Sequence, residues 1–443
     1  MGGETKTMKI GDKIKIQNGG TSTILSEFGS GGQGRVFKVD YSGKEYALKW
    51  YHIGVFKDKA ADFYLNLQNN IKKGAPNDHF LWPLGITEIQ DGTFGYLMKV
   101  RPSGYEELTN YFVGSRQKKQ VHFKSFSAIL SAAINIIQAF RELHNNGYTY
   151  QDINNGNFFI NPNNGDVLIC DNDNVSPFGV NLGIMGKQRW MAPEVVTLQN
   201  DPDKHSDRFS LSVVLFRLLF INHPLEGKCS TPPCMTKELE RKYYGSEPVF
   251  VYDPKLTQNR PVPGTDHNLK LFWRIYPQYL KDMFIRAFSQ DVLLKKAPRI
   301  LEKEWMDAFF RCRAELGVCP HCGGEMFYVA DGTSGCFECG KVVPKVPSLR
   351  LKSFTLPMHP GMKLYLWHVD STYENTTDII GEVVSHPNDK RLLGLKNCSS
   401  RTWNVLLPDN SRRQLTSGNV VPVQNNFQID FLGNGQVAGT MSI

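Results

Sequence analysis

The 443-residue chain lacks long apolar runs, blocks of like charge, internal repeats and low-complexity tracts. Its longest apolar stretches, residues 127–140 and 209–221, contain polar side chains and are shorter than the roughly 20 residues that span a bilayer. The first 16 residues show no apolar core with a cleavage site, so no secretory signal is predicted. These absences argue against secreted and membrane-spanning proteins, and we expect a cytoplasmic location without a membrane partner.

The charge balance is modest and evenly spread. Lysine and arginine total 51 against 43 acidic residues, which gives a formal net charge of +8. A solvated basic surface explains this better than an acidic ligand does. No cluster of basic and aromatic residues is present, so nucleic acid is not an expected partner. The length and the 41% hydrophobic content allow about three ordinary globular domains.

The cysteines number nine, and four of them form two Cys-x-x-Cys pairs. These are Cys319 with Cys322 and Cys336 with Cys339. Four thiolates at this spacing are typical of a structural zinc ribbon, and metal binding fits a reducing compartment better than disulfides do. A closed four-thiolate shell leaves no position for a substrate, so we predict zinc without catalysis.

Strand patterns dominate the first hundred residues, and helix patterns follow from about residue 101. A helix is predicted over residues 60–72, where Phe63 and Leu67 lie on one face and Gly74 follows. The last eighty residues show short alternating runs separated by turns. The predicted fold class is therefore α+β, with a zinc ribbon and an all-β, sandwich-like domain near the end.

A glycine cluster lies between the second and third predicted strands, with the pattern Gly-x-Gly-x-x-Gly-x-Val. Such a loop can bring backbone N–H groups close to phosphates. A glycine-rich hairpin without a ligand explains the loop alone equally well, but a dinucleotide site would require a following helix. The predicted phosphate-covering residues are Gly29, Ser30, Gly31, Gly32, Gln33, Gly34 and Val36.

Lys49 lies in an otherwise apolar strand, fifteen residues after Gly34. Burying a lysine is costly unless it meets an anion, and the α- and β-phosphates of a nucleotide would supply one. The alternative is a lysine on an edge strand that faces solvent.

Two later turns carry polar residues at a regular spacing. Asp152 and Asn157 stand five residues apart, and Asp171 follows a buried-type strand. Asp and Asn are ordinary turn residues, but both turns follow a phosphate loop and a buried lysine, which favours a shared site.

Together with Ala192-Pro193-Glu194 and Arg299, these motifs resemble a eukaryotic-type serine/threonine protein kinase domain in a bacterial variant. The loop Gly31–Gly34, the run around Lys49, residues 80–84 and residues 170–174 are similar to the kinase of the tellurite-resistance-associated phosphorylation triad. The resemblance implies a bilobal fold and transfer of the γ-phosphoryl group of ATP, with Mg²⁺, to Ser or Thr of a protein substrate. It also implies a PP2C-type phosphatase and a von Willebrand A-domain protein as partners.

The resemblance assigns roles and boundaries. Catalysis would use Asp152 as base, with Lys49, Asn157 and Asp171. ATP would contact the glycine loop, Ala47, Lys49, Met98, Lys99, Val100, Asn157 and Asp171, and Asn157 and Asp171 would hold Mg²⁺. Glu194 and Arg299 would form a buried ion pair. The predicted divisions are an N-terminal strand extension (1–19), a kinase-like domain (20–316, lobes 20–100 and 101–316), a zinc ribbon (317–343), a linker (344–360) and a β domain (361–443).

The chain departs from the family pattern in its catalytic loop. Gln151 replaces an Arg that binds an activation-loop phosphate, and Ser176 is the only hydroxyl residue in 172–190. We therefore expect activity without phosphorylation of this segment. Asn154 replaces a Lys that faces the transferring phosphoryl group, so we expect slow turnover unless Lys187 or Arg189 supplies the missing positive charge.

The helix over residues 60–72 offers no glutamate to pair with Lys49; Asp62, Asn66 and Asn69 are the polar candidates. This gap supports an alternative, a nucleotide-binding pseudokinase scaffold. A third interpretation places the function in the ribbon and β domain as binding modules. The β domain faintly resembles a forkhead-associated domain, although the phosphothreonine-reading residues are not evident.

Overall fold

The computed structural model describes residues 8–17, 19–113, 119–372 and 375–443. Residues 1–7 and 18 of the predicted N-terminal extension lie outside the described part. The rest of that extension contains the first strand, which pairs with the second strand of the small lobe.

The small lobe is a six-stranded antiparallel sheet in the order β1-β2-β3-β4-β6-β5, with one helix on its inner face. Its outer face buries Ile24, Val39 and Leu48, while Tyr51 and Tyr96 face the helix. The elements are β1 Lys13–Lys15, β2 Thr21–Ser30, β3 Gly34–Tyr41, β4 Lys44–Tyr51, α1 Ala60–Lys73, β5 Gly85–Ile86 and β6 Gly95–Lys99.

Helix α1 confirms the helix predicted over residues 60–72. Phe63 and Leu67 are fully buried against the sheet, as their spacing along one face predicts. The helix ends at Gly74, whose φ of +83° an L-residue would rarely adopt.

The large lobe is helical apart from short strand pairs. Its core forms where α3, α5 and α10 pack together around apolar residues such as Phe140 and Phe216. The elements are β7 Glu106–Glu107, α2 Thr109–Phe112, α3 Phe126–Asn145, β8 Tyr148–Thr149, β9 Phe158–Ile160, β10 Val167–Ile169, β11 Ser176–Pro177, α4 Pro193–Val196, α5 Lys204–Phe220, α6 Lys237–Arg241, α7 His267–Ile275, α8 Gln278–Ala287, α9 Gln290–Leu293 and α10 Glu302–Glu315.

Helix α3 is longer than the apolar stretch noted in the sequence. Its 20 residues are long and apolar enough, by length and composition alone, to cross a membrane. In the fold this helix is packed in the large-lobe core, where Leu130, Ile134 and Ile137 are fully buried against neighbouring helices. Core helices of soluble proteins pass the same test, so the feature is weak evidence for a span.

Two further units follow the large lobe. The cysteine-rich unit contains β12 Leu316–Val318, β13 Glu325–Phe327, β14 Ser334–Gly335 and β15 Val342–Val343. The last unit contains β16 Ser348–Leu351, β17 Thr355–Pro357, β18 Lys363–Tyr365, α11 Leu366–Val369, β19 Ile379–Ser385, β20 Leu393–Asn397, β21 Trp403–Leu406, β22 Arg412–Leu415, β23 Val420–Pro422, β24 Gln428–Asp430 and β25 Gly439–Ser442.

The last unit consists of two sheets, β17-β16-β25-β24-β21-β22 and β18-β19-β20-β23, around a core that includes Trp403 and Leu395. Segment 344–360, predicted to be a linker, differs from that expectation because β16 and β17 belong to the first sheet. Pro347 precedes β16 and Pro357 ends β17, so the prolines border the strands without interrupting the paired ladder.

This β unit is packed directly on α10 of the large lobe. The Trp367 ring stacks on Phe310 with 5.4 Å between centroids, and its indole N–H donates to Asp307 at 2.9 Å. Nε2 of His368 lies 3.0 Å from the Phe310 carbonyl oxygen. The stacked rings and the hydrogen bonds of Trp367 and His368 together fix the orientation of the β unit on the large lobe.

Candidate active site

The glycine loop is the tight turn between β2 and β3. Gly34 must be glycine, because a Cβ there would lie 2.3 Å from the Trp50 carbonyl oxygen. The backbone N–H of His52 donates to the Gln33 carbonyl at 2.9 Å, and the His52 ring lies 3.1 Å from the Gly31 carbonyl. Gly29 and Ser30 end β2, Gly31 and Gly32 lie in the turn, and all four are exposed.

Lys49 is buried, with 5% of its surface exposed, so it is not an edge lysine that faces solvent. Its ammonium contacts Asp171 at 3.2 Å, Asp173 at 2.9 Å and the side-chain oxygen of Gln33 at 3.1 Å. Burial alone would lower the pKa of Lys49, but the two carboxylates outweigh it and raise the pKa. The lysine is therefore held charged where the lobes meet.

Asp173 is the partner that sequence reasoning missed. Its carboxylate is fully buried and accepts hydrogen bonds from the Tyr51 hydroxyl at 2.6 Å and the Tyr96 hydroxyl at 3.1 Å. Tyr51 follows Lys49 by two residues on β4, and Tyr96 pairs with Lys49 across the ladder. Period-two spacing was the available signal, since Lys49 and Tyr51 must share one face of a strand.

Helix α1 supplies no carboxylate to Lys49 within the described residues. Asp62 and Asn69 are exposed on its outer side. Asn66 is buried, but its amide donates to the Val175 carbonyl oxygen at 2.8 Å, as does the amide of Asn70. The helix is thus hydrogen-bonded to the segment after Asp173.

The predicted base, Asp152, lies partly buried in the catalytic loop. Burial and the nearby Asp171 charge raise the pKa of Asp152 to about 6, although hydrogen bonds from Asn154 and Asn157 act the other way. The Asn154 amide donates to the Asp152 carboxylate at 3.0 Å, and the Asn157 amide donates to the Asp152 carbonyl oxygen at 2.9 Å. The first bond restrains the carboxylate, and the second restrains the backbone of the loop at Asp152.

The two predicted magnesium ligands lie on adjoining segments. The backbone N–H of Cys170 donates to the Asn157 carbonyl oxygen at 2.8 Å. The next residue, Asp171, adopts the left-handed conformation (φ +51°) and leaves 42% of its side chain exposed. An exposed carboxylate beside an amide whose nitrogen is already bonded is a donor set that suits Mg²⁺.

The backbone of the catalytic loop is fixed by Asp207 at the start of α5. Its carboxylate accepts the N–H of Tyr150 at 2.7 Å and that of Gln151 at 2.9 Å. His144 lies 3.2 Å from the same carboxylate and 2.8 Å from Glu302 through its other ring nitrogen. This buried cluster was not predicted, because its members come from three separate helices.

The segment after Asp171 encloses its single hydroxyl residue. Ser176 is fully buried; its hydroxyl donates to the Val180 carbonyl oxygen at 2.7 Å and accepts from the Gln151 amide at 2.9 Å. Gln151 also donates to Val180 at 2.6 Å. The neutral Gln151 therefore links the catalytic loop to this segment by hydrogen bonds.

The other residues predicted to contact ATP lie on the small-lobe sheet or directly after it. Ala47 on β4 pairs directly with Met98 on β6, and both are buried. Val36 pairs with Lys49 on the other side. Lys99 and Val100 follow at the end of β6, with Lys99 exposed. Lys99 and Val100 therefore lie where the chain leaves the small-lobe sheet for the large lobe.

The Glu194–Arg299 ion pair forms as predicted. Two guanidinium nitrogens of Arg299 donate to the two carboxylate oxygens of Glu194 at 2.8 and 2.7 Å, and both residues are buried. Arg299 also donates to the His205 carbonyl oxygen at 2.8 Å. The pair joins α4 to the segment that precedes α10.

The four predicted zinc ligands converge outside the cleft. The sulfur atoms of Cys319, Cys322, Cys336 and Cys339 all lie within 4.8 Å of one another. Four thiol ligands at this separation suit a tetrahedral Zn²⁺. No other group of three or more such ligands is found in the described part of the chain.

Comparison with known families and proteins supports this geometry. Residues 87–250 match the family model described as protein kinase domain. The matched range contains Asp152, Asn157, Asp171 and Glu194, whereas Lys49 and the glycine loop precede it. Residues 87–250 are therefore similar to a protein kinase domain, a family whose members use ATP and Mg²⁺.

The relatives are distant and have kinase names. Protein kinase YegI of Escherichia coli (strain K12) is 23% identical over 327 residues, which cover 70% of this chain and 48% of that protein. Probable serine/threonine-protein kinase kinX of Dictyostelium discoideum is 27% identical over 206 residues, 44% of this chain and 18% of that protein. Serine/threonine/tyrosine-protein kinase HT1 of Arabidopsis thaliana is 23% identical over 218 residues, which cover 46% of this chain and 52% of that protein. The chain spans about half or less of the length of each. The finer resemblance to the tellurite-associated kinase stays a prediction.

Proposed function

We propose that this chain is an ATP- and Mg²⁺-dependent protein kinase that phosphorylates serine or threonine in protein substrates. One observation carries the proposal. Lys49 of the small lobe, buried and charged, meets Asp171 of the large lobe at 3.2 Å, and the Asn157 and Asp152 loop adjoins Asp171. A buried cation beside an exposed carboxylate is suited to a nucleotide phosphate and its metal ion.

The geometry of the site supports a separate role for each of its polar residues. Mg²⁺, held by Asp171 and Asn157, would neutralise charge on the phosphates of ATP. Lys49 binds and orients the α- and β-phosphates under the glycine loop. Asp152 accepts the proton of the attacking hydroxyl. The hydroxyl oxygen forms the new bond to the γ-phosphorus while the bond from that phosphorus to the β–γ bridging oxygen breaks, and ADP leaves. The pKa of Asp152, about 6, leaves most of this carboxyl group ionised at neutral pH.

Independence from activation-segment phosphorylation is part of the proposal. Gln151 carries no charge with which to bind a phosphate, and it already bonds to Ser176 and Val180. A phosphate on Ser176 would have to replace these buried hydrogen bonds, which is costly.

We further propose that the four-cysteine unit binds structural zinc and that the β unit binds a protein partner in the cytoplasm. The charge pattern offers no support for nucleic acid. A PP2C-type phosphatase and a von Willebrand A-domain protein are the partners that the tellurite-associated resemblance suggests. Both units pack against α10 or α3, which supports a role close to the kinase domain.

A pseudokinase scaffold is the second candidate function. It is favoured by the absence of a carboxylate on α1 that reaches Lys49 and by Asn154 in place of a lysine. The enzyme is favoured by the intact set of Lys49, Asp152, Asn157 and Asp171.

The two candidates differ in phosphoryl transfer. The full chain is incubated with γ-labelled ATP, Mg²⁺ and a generic protein substrate, beside Asp152→Ala and Asp171→Ala. An Asp201→Ala variant serves as the matched control, because Asp201 is exposed on a loop. The kinase proposal expects label with wild type and control and a loss of at least about 100-fold in the two site variants. Nucleotide binding without any transfer would instead establish the scaffold.

A further inference from the structure

The turn of residues 171–173 contacts Lys49 with two carboxylates. In protein kinases, the lysine of the small-lobe sheet is paired with a glutamate of the neighbouring helix, and movement of that helix controls activity. Here the helix α1 has no such residue within reach, yet the lysine is not left unpaired. Its closest carboxylate is Asp173, at 2.9 Å.

We propose that Asp173 is the residue that positions Lys49, so that one turn sets both the lysine and the predicted metal ligand Asp171, independently of helix α1. The inference deepens the proposed kinase function and rests on it. If Asp173 positions Lys49, the lysine stays paired whatever the position of helix α1. If the helix supplied the partner, the pairing would depend on the position of the helix.

The three side chains that contact Lys49 differ in their exposure, and this difference indicates which contact would persist when a nucleotide binds. Gln33 belongs to the exposed glycine turn, and Asp171 leaves 42% of its side chain open to the cleft. Both can exchange their bond to the ammonium for a phosphate or a metal ion. Asp173 has 0% of its surface exposed, so its carboxylate is closed off from solvent.

The carboxylate of Asp173 is fully engaged. One oxygen accepts from Lys49 at 2.9 Å and Tyr51 at 2.6 Å, and the other accepts from Tyr96 at 3.1 Å. A buried ion pair repays the desolvation of its charges only when geometry is good and further hydrogen bonds are made. Two tyrosine hydroxyls meet that requirement here.

Helix α1 is fastened separately and by neutral groups. The amides of Asn66 and Asn70 both donate to the Val175 carbonyl oxygen at 2.8 Å. Loss of these bonds would remove the attachment of the helix to this segment, although Phe63 and Leu67 would still pack on the sheet, and it would leave Lys49 and Asp173 in contact. The two attachments can therefore be removed one at a time.

The test compares three variants of the full chain: Asp173→Asn, Lys49→Met and the double variant. We measure affinity for ATP with a fluorescent ATP analogue, and kcat and KM in the labelled-ATP assay. Asp173→Asn is expected to weaken ATP affinity and kcat/KM by about 10- to 100-fold, since the carboxylate charge that pairs with the Lys49 ammonium is lost. The double variant should be no worse than Lys49→Met alone, because both changes remove one function. Losses that multiply would overturn the proposal.

The helix is tested by the Asn66→Ala/Asn70→Ala variant, which should keep ATP affinity within about threefold of wild type. A loss as large as that of Asp173→Asn would show that the helix positions the lysine and would overturn the proposal. Tyr51→Phe/Tyr96→Phe removes two donors without leaving a charge unpaired. If Asp173→Asn does not fold, the Tyr51→Phe/Tyr96→Phe variant replaces it, and its ATP affinity and kcat/KM are compared with those of Lys49→Met. Because ATP affinity is read separately, a wild type that binds ATP but transfers no phosphoryl group would refute the kinase function alone.

Discussion

The ammonium group of Lys187 donates a hydrogen bond of 2.9 Å to the side-chain oxygen of Asn155, inside the catalytic loop. Arg189, the other basic candidate to replace the lysine missing at position 154, points to Glu226 and Glu240 at 3.4 and 3.6 Å. Only Lys187 of the two contacts the loop that carries Asp152. It is therefore the better source of positive charge for the transferring phosphoryl group.

This contrast predicts different kinetics for two matched variants. Lys187→Met should lower kcat by about 10- to 100-fold with a smaller effect on KM for ATP, because a cation near developing negative charge acts mainly in the transition state. Arg189→Met should lower kcat by less than about threefold. Steady-state kinetics with a fixed protein substrate measure both. Equal losses in the two variants would contradict the assignment.

The Glu194–Arg299 pair predicts a large stability effect. Arg299→Met leaves a buried carboxylate unpaired and should lower the free energy of unfolding by about 3–5 kcal/mol. The double variant Glu194→Leu/Arg299→Met should lose clearly less, because no charge remains unpaired. Urea unfolding followed by tryptophan fluorescence gives the comparison. A double variant that is less stable than Arg299→Met would argue against this account.

The buried position of Ser176 predicts how the activation segment responds to phosphatase. Protein treated with a phosphatase and then repurified should keep its activity, and Ser176→Ala should stay within about threefold of wild type, since one ordinary hydrogen bond is lost. Ser176→Asp should be less active than Ser176→Ala, because a carboxylate there faces the Val180 carbonyl oxygen. A Ser176→Asp variant more active than wild type would instead indicate phosphorylation control.

Much of the site was predictable because its signals are local. The glycine hairpin, the five-residue spacing of Asp152 and Asn157, and the strand before Asp171 are each encoded within a dozen residues. The periodic spacing of Phe63 and Leu67 likewise located α1 to within one residue of its observed bounds.

What could not be predicted depends on tertiary packing. Asp173 lies 124 residues from Lys49 along the chain, and its role appears only when the large lobe meets the sheet. The His144 cluster likewise joins three helices. Segment 344–360 was expected to be a linker because proline disfavours strands, but proline at strand ends leaves the ladder intact. The sequence shows how many prolines the segment has, but whether they disrupt a strand depends on their position in the paired ladder.

The buried His144 predicts a pH-dependent stability. Burial lowers the pKa of His144, but hydrogen bonds with Asp207 and Glu302 outweigh it and raise the pKa above 6.5. Arg208, which donates to Glu302 at 2.8 Å, is the cation in this cluster. A raised folded-state pKa stabilises the protein fully below pH 6.5, and this contribution is lost as pH rises through the raised value.

We therefore expect the stability difference between wild type and His144→Gln to be largest near pH 6 and to shrink as pH rises above 6.5. Thermal unfolding of both proteins at a series of pH values measures it. A difference that stays constant from pH 6 to 9 would contradict a raised pKa.

The cysteine unit predicts that metal stabilises the kinase domain. Glu325, between the two cysteine pairs, accepts the backbone N–H groups of Phe126 and Ser127 at 2.6 and 3.2 Å and so caps the N-terminus of α3. The Phe337 ring contacts the Phe126 ring at 5.1 Å between centroids. Because structural zinc supplies folding energy to such units, losing it should release this cap from the core helix of the large lobe.

Metal analysis of the purified chain should give about one Zn²⁺ per molecule. Cys336→Ser should lose the metal and lower the midpoint of thermal unfolding of the whole protein by several degrees, since a helix cap alone is worth about 1 kcal/mol. Cys398→Ser, at an exposed cysteine outside the cluster, should change neither quantity. Glu325→Gln should keep the metal and lose only part of the stability, which separates the cap from the metal site. Four intact thiols without bound metal, or a Cys336→Ser variant as stable as wild type, would show that the unit stands without zinc.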